Sequence, residues 1–142
     1  MTKILEIYRA DVRTKHKLPL FLSPIRAGFP SPADDYLDKK LDLNEHLIKH
    51  PASTFFVKVK GDSMIKVGIH SGDILVVDRS VDPKDKKVVV AIVNGEFTVK
   101  RVRNVKDKLY LFSENDDYPP IEIKEEFDFE IWGVVIHVIH SV

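Results

Sequence analysis

The chain has 142 residues, of which 44% are hydrophobic and 31% charged, and its 22 basic side chains balance 22 acidic ones. This size and mixture predict one globular domain with a short appendage, and the absence of cysteine excludes disulfides and thiolate metal sites. Apolar runs of about six residues fall well short of the roughly 18 that a membrane-spanning helix needs, so we expect a cytoplasmic protein with no membrane contact. The neutral balance also argues against tight non-specific nucleic-acid binding, and we expect no direct sequence-specific DNA binding.

The charge is unevenly distributed along the chain. Residues 1–27 carry six basic and two acidic side chains, whereas residues 28–142 carry 16 and 20. The first segment is too short to fold alone, and it leads into a proline-punctuated stretch that favours extended chain over helix. We therefore divide the chain into an N-terminal arm, 1–27, and a β-rich domain, 28–142.

Two short helices are predicted after the arm. Ser31, followed by Pro32 at the first helical position, is typical of a helix start and leads towards Leu41. Asp42 and Glu45 form a capping-box pattern that predicts a second helix, which we expect Pro51 to end.

The rest of the chain has the pattern of short strands bounded by turn residues. Between two of these strands, Asn94-Gly95 predicts a two-residue hairpin with positive φ at both positions. Short strands with few crossover helices between them predict a mainly β fold. We expect a folded-over and mostly antiparallel β domain with one or two short helices. The predicted strands cover residues 55–60, 73–78, 88–93, 96–102, 109–112, 121–123 and 129–139.

Several catalytic patterns fail on inspection. His46 and His50 are four apart, but Leu47 stands where a zinc protease has its glutamate. His137 and His140 are three apart on a strand and point to opposite faces. No phosphate-binding or dinucleotide-binding loop is present, so we expect no cofactor and no metal.

Two residues remain as candidates for chemistry. Ser63 follows a strand that ends at Gly61, where a turn can present a hydroxyl together with backbone N–H groups; an ordinary turn is the simpler interpretation. The hairpin places Lys100 opposite Val89 on an apolar sheet face, where loss of hydration lowers the pKa of a lysine. A lysine whose amine reaches water from such a strand is the more common case. Neither residue is decisive alone.

Together these residues resemble the UmuD-like members of the LexA-like family of self-cleaving Ser–Lys peptidases. The resemblance runs from about residue 18 to the C-terminus, and it includes the serine motif, the lysine strand and the cleavage segment in order. The segments that carry it are residues 28–36, 42–44, 56–58, 61–65, 72–78, 95–101 and 133–138.

The resemblance implies a role for each matching residue. Ser63 is the nucleophile, Lys100 is its general base, and the backbone N–H groups of Asp62 and Ser63 hold the oxyanion. The scissile bond is Ala27–Gly28.

The resemblance also implies partners. Filaments of RecA on single-stranded DNA stimulate the cut, and the trimmed homodimer joins a UmuC-like polymerase subunit for error-prone translesion synthesis in the SOS response. A non-catalytic interaction module of the same fold is the alternative. A relative of signal peptidases acting on foreign substrates is disfavoured because no membrane anchor is evident.

Overall fold

A computed structural model of the chain describes residues 2–21, 27–28 and 38–142. The chain divides into two compact units, one formed by Met1–Ala10 with His50–Val142 and the other by Asp11–Lys49. The first therefore contains residues from both sides of the predicted boundary at 27/28, because the beginning of the arm packs with the β-rich part of the chain.

The larger unit is built on an eight-stranded sheet. Its strands are β1 (Lys3–Arg9), β4 (Thr54–Lys60), β5 (Ile74–Asp78), β6 (Val88–Val93), β7 (Glu96–Val105), β8 (Lys108–Phe112), β9 (Ile121–Glu122) and β10 (Phe129–Ile139). Their order in the sheet is β1-β4-β5-β10-β6-β7-β8-β9. All of the pairings are antiparallel, as expected of a chain in which turns rather than crossover helices join the strands. This confirms the predicted mainly β class.

The Asn94-Gly95 hairpin forms as predicted. Both residues have positive φ, 49° and 83°, and the register places Lys100 opposite Val89. The alternation of side chains along β6 and β7 then separates two apolar clusters, because successive residues of a strand point to opposite faces. Val90 and Val99 belong to one cluster, with Val57, Val59, Met64, Ile69, Leu75 and Val77. The other contains Val89, Ala91, Val102, Leu111 and Val134.

The arm begins with a strand that belongs to the sheet. Its residues Lys3–Arg9 form β1, which pairs with β4 at the edge of the sheet. Most of this strand is exposed and only Ile4 is partly buried, and a register shift between Ile4 and Glu6 interrupts its pairing with β4. Ile4 packs against the first cluster, while Tyr8 is exposed.

The smaller unit contains a two-stranded sheet and one short helix. Strand β2 (Lys17–Phe21) pairs antiparallel with β3 (Asp38–Asp42), and Pro19 is tolerated there because both strands are sheet edges. The helix that we predicted from Ser31 lies largely outside the described residues, and it does not continue to Leu41 as expected, since Leu41 is part of β3.

The second predicted helix begins where expected. Helix α1 (Leu43–Leu47) is capped by Asp42, whose side chain accepts a hydrogen bond from the backbone N–H of Asn44. It ends at Leu47 because Ile48 takes up an extended conformation, so Pro51 does not end it as predicted but instead begins a short 3-10 turn, Pro51–Ser53. No helix in the described part of the chain is long and apolar enough to cross a membrane.

Candidate active site

Ser63 lies in the turn that follows β4. Gly61, with φ 110°, reverses the chain after Lys60, a conformation that glycine adopts without the steric cost of a Cβ. The turn continues into a 3-10 segment, Ile65–Val67, and the side chain of Met64 anchors it in the first apolar cluster. As a result Ser63 is completely buried.

The hydroxyl of Ser63 is engaged by the start of the chain. The backbone N–H of Thr2 donates to Ser63 Oγ at 2.8 Å, and Ser63 Oγ donates to Thr2 Oγ1 at 2.8 Å. Thr2 is itself fully buried, just before β1. No sequence pattern predicts this contact, which joins residues 61 positions apart.

Lys100 lies on the face of β7 that carries the second apolar cluster. It is 2% exposed, and this burial lowers the pKa of its amine from 10.5 to about 8, because the charged form loses its hydration. Lys100 Nζ donates a hydrogen bond of 2.6 Å to Ser113 Oγ and lies 5.7 Å from the centroid of the Tyr118 ring. The lysine is thus desolvated rather than reaching water.

Ser113 is a site residue that sequence reasoning missed, although a weak signal was present. Lys106 and Asp107 form a two-residue turn with φ of 52° and 63°, and β7 and β8 are in register up to the pair Arg101–Phe112. One step further along this register places Ser113 opposite Lys100. Lys-Asp is a much weaker turn signal than Asn-Gly, so the sequence alone did not predict this register.

The segment 113–118 connects the lysine to the serine turn. Next to Ser113, the backbone of Glu114 donates to Met64 Sδ at 3.4 Å and accepts from the N–H of Lys66 at 2.9 Å. Tyr118, whose ring faces Lys100, donates its hydroxyl to Asp62 Oδ1 at 2.8 Å. The residues on both sides of Ser63 therefore contact the segment that also contacts Lys100.

Ser63 and Lys100 are not hydrogen-bonded to each other in the described residues; each is bonded to a different hydroxyl. Ala27 and Gly28 belong to the smaller unit, where both are exposed and Gly28 has a φ of 95°. The residues on either side, 22–26 and 29–37, lie outside the described part of the chain.

The spacing of His46 and His50 predicted both histidines on one helix, and this is wrong for His50. Helix α1 ends before His50, and His50 Nδ1 instead lies 2.5 Å from the buried carboxylate of Asp78.

Lys100 is buried with a lowered pKa, and the segment 113–118 contacts both this lysine and the turn that carries Ser63. Comparison with known proteins gives the class: residues 19–136 match the Peptidase S24-like family, and the chain belongs to that family. This confirms the resemblance drawn from the sequence motifs.

Individual relatives extend over most of the chain. Protein SamA of Salmonella typhimurium is 47% identical over 123 residues, covering 87% of this chain and 85% of its own length. Protein MucA of Escherichia coli is 44% identical, with 86% and 84% covered. The LexA repressor of Shewanella denitrificans is 35% identical over 84% of this chain and 57% of the repressor. These matches support an SOS mutagenesis protein of a peptidase family.

Proposed function

We propose that the chain is a serine endopeptidase that cleaves its own Ala27–Gly28 bond, with Ser63 as nucleophile and Lys100 as general base. The observation that carries this proposal is the burial of Lys100, which lowers its pKa to about 8. An ordinary lysine, with a pKa near 10.4, is almost entirely protonated at neutral pH and cannot accept a proton from a serine. At a pKa of about 8, roughly a tenth of the amine is neutral at pH 7.

The proposed reaction proceeds in two steps. Neutral Lys100 removes the proton of Ser63 as Oγ attacks the carbonyl carbon of Ala27, and the resulting ammonium returns that proton to the leaving nitrogen of Gly28. Residues 1–27 are then esterified to Ser63. A water molecule, deprotonated by Lys100, hydrolyses the ester and regenerates the hydroxyl.

In this proposal, two further sets of groups assist the cleavage reaction. The backbone N–H groups of Asp62 and Ser63 stabilise the negative oxygen of the tetrahedral intermediates, where a single such donor contributes on the order of 3 kcal/mol in other hydrolases. Ser113 acts as a positioning residue, since its hydroxyl accepts a hydrogen bond from Lys100 Nζ. The arm is the substrate, so the reaction benefits from intramolecular proximity and each chain reacts once.

Cleavage requires a rearrangement of the state described here. The proton of Ser63 points to Thr2 Oγ1 rather than to Lys100, and Lys100 points to Ser113. In the proposal, Thr2 leaves Ser63 before Oγ can reach the lysine. We assign the same trigger that the family resemblance implies, a filament of RecA on single-stranded DNA.

The product, residues 28–142, would then act as a homodimer. In the proposal it is the cytoplasmic accessory subunit of a UmuC-like error-prone polymerase in translesion synthesis, with no sequence-specific DNA contact of its own. Its 16 basic and 20 acidic residues make it a poor ligand for nucleic acid, since phosphate binding depends on basic side chains.

Intact mass spectrometry of the full chain tests the peptidase. We expect the 28–142 product at mildly alkaline pH, and faster with RecA filaments, from the wild type and from the control Ser141→Ala, which alters an exposed serine. Ser63→Ala and Lys100→Ala should yield none. Product from Ser63→Ala, or none from the wild type under either condition, would refute the peptidase.

The partner assignment needs a separate test. Purified 28–142 should sediment as a dimer and co-elute with a UmuC-like subunit, whereas the uncleaved Ser63→Ala chain should bind that subunit more weakly. Normal cleavage without co-elution would refute the polymerase partnership alone.

The second candidate is a non-catalytic interaction module. The bonding of Ser63 to Thr2 instead of Lys100 favours it, because a hydroxyl held in this way serves to fix β1 on the sheet. In that case Ser63→Ala would lower the stability of the fold. The function of the protein would then consist of the partner interactions of the uncleaved chain.

A further inference from the structure

Three potential metal ligands lie together at one end of the β4–β5 connection. Residues 70–73 form a tight turn in which the N–H of Asp73 donates to the carbonyl of His70 at 3.1 Å and Gly72 has a φ of 93°. Positive φ at the third position is what a type II turn requires, and such a turn brings its first and fourth residues together. The side chains of His70 and Asp73 are thereby adjacent.

The third ligand comes from the last strand. Strand β10 pairs antiparallel with β5 up to Ile139 and Ile74, and His140 is one step beyond this pair, opposite Asp73. His140 Nδ1 lies 2.6 Å from Asp73 Oδ1. Two backbone-defined elements, a turn and a strand end, therefore hold the three residues in place.

The donor atoms converge on the buried carboxylate. Asp73 is 3% exposed, and His70 Nδ1 lies 3.8 Å from its Oδ2. The rings of His70 and His140 are tilted relative to each other, with centroids 4.5 Å apart and planes at 34°. One potential ligand atom from each residue lies within 4.8 Å of the others.

One of these donors has no hydrogen bond to any residue that the structure describes. His70 Nδ1 is inaccessible to solvent and has no partner among the described residues, although buried polar atoms are normally paired. The carboxylate does not satisfy it, because His70 Nδ1 lies 3.8 Å from Oδ2, which is too far for a hydrogen bond. The buried nitrogen thus indicates that something beyond the protein atoms belongs between these side chains.

We propose that His70, Asp73 and His140 bind a divalent transition-metal ion of the Zn²⁺ class. Two imidazole nitrogens and one carboxylate oxygen are ligands that Zn²⁺ favours, and in a tetrahedral site they stand roughly 3.4 Å apart. Binding of the ion requires side-chain rotations that bring the present donors, which lie within 4.8 Å of one another, to that spacing. The fourth position faces solvent, since both histidine side chains are more than 40% exposed, and a water molecule occupies it.

The ion would have a structural consequence for the serine turn. The same tight turn contains Ser71, whose hydroxyl accepts the N–H of Gly61 at 3.3 Å, and Gly61 begins the turn that carries Ser63. A metal bound at His70, Asp73 and His140 fixes the C-terminal end of β10 to this support. Sequence reasoning compared His140 only with His137 on its own strand and so missed the cluster.

Titration calorimetry of the chelator-treated full-length Ser63→Ala chain with Zn²⁺ alone tests the proposal without interference from cleavage. We expect one ion per chain, and affinity reduced roughly tenfold or more in His70→Gln and in His140→Gln, because each removes a ligand. His46→Gln is the matched control, since His46 is an exposed histidine on helix α1 outside the cluster. Its affinity should equal that of the parent chain.

A second readout separates ligation from a loss of folding. Co²⁺ added to the same chains should give visible absorption bands of a low-coordinate site, absent from both cluster variants while their circular dichroism matches the parent. No stoichiometric binding in the parent, or undiminished binding in His70→Gln and His140→Gln, would overturn the proposal. Loss of binding in His46→Gln would do the same.

Discussion

Replacing Thr2 with alanine should accelerate self-cleavage. Thr2 Oγ1 is the acceptor for the Ser63 proton at 2.8 Å, and both residues are fully buried. The substitution removes this acceptor while keeping the backbone N–H that donates to Ser63 Oγ. The bonded state is therefore destabilised, and Ser63 is released to Lys100 more often.

The magnitude follows from one neutral hydrogen bond. Such a bond contributes about 0.5–1.5 kcal/mol net, and each 1.4 kcal/mol changes a rate by about tenfold. If release of Thr2 precedes the chemical step, Thr2→Ala should cleave roughly two to ten times faster than the wild type. Thr2→Ser keeps the hydroxyl and should cleave at the wild-type rate.

The assay is the time course of conversion to 28–142, followed by intact mass at one alkaline pH without any stimulating partner. Ser63→Ala in the Thr2→Ala background gives the baseline. A Thr2→Ala rate equal to or below that of Thr2→Ser would refute the reasoning, because it would mean that the contact does not restrain the nucleophile.

The pKa values give three further predictions. Cleavage should rise roughly tenfold between pH 7 and pH 9 and level off above, because neutral Lys100 is the active form and its pKa is about 8. Lys100→Met should abolish cleavage yet stabilise the fold at pH 6–7 by about 1–3 kcal/mol in denaturant titrations, since it removes a buried cation. For Asp78, burial raises the pKa, but hydrogen bonds from Ser80, His50 and Ser53 outweigh it and lower the pKa to about 2. Asp78→Asn should thus cost about 2 kcal/mol at neutral pH.

The pH dependence of the stability tests the directions of the pKa shifts of Lys100 and Asp78. Folding lowers the pKa of Lys100, so the advantage of Lys100→Met should be full below about pH 8 and disappear as the pH rises towards 10.5. Folding also lowers the pKa of Asp78, so the wild type should lose stability as the pH falls from about 4 to 2, whereas Asp78→Asn should not. A cleavage rate that is flat from pH 7 to 9, or equal pH slopes in variant and wild type, would contradict these assignments.

Local signals in the sequence predicted much of the fold and part of the candidate site. The strands β6 and β10 lie at the predicted bounds, and Asp42 caps helix α1 as its pattern indicates. The incorrect end of helix α1 has a local cause: a short helix makes few bonds of its own, so its sequence does not determine where it ends. Whether the start of the arm lies on the domain or extends freely was left open, because the strand that pairs with β1 is about 50 residues away.

The position of Lys100 was predictable because a two-residue turn fixes cross-strand register by counting. Asn94-Gly95 determined that Lys100 faces Val89, and the alternation of the strand determined that its side chain enters an apolar cluster. Whether the amine is desolvated or reaches water was left open by the sequence, and the structure shows it buried.

Only the tertiary structure decided what contacts Ser63 and Lys100. Thr2 reaches Ser63 across 61 residues, Ser113 reaches Lys100 through a weak turn, and His140 joins His70 and Asp73 from the other end of the unit. These contacts depend on which strands become neighbours and how far the sheet curls. The burial of the apolar clusters as a whole determines which strands become neighbours. Periodicity and turn motifs within one segment therefore do not predict it.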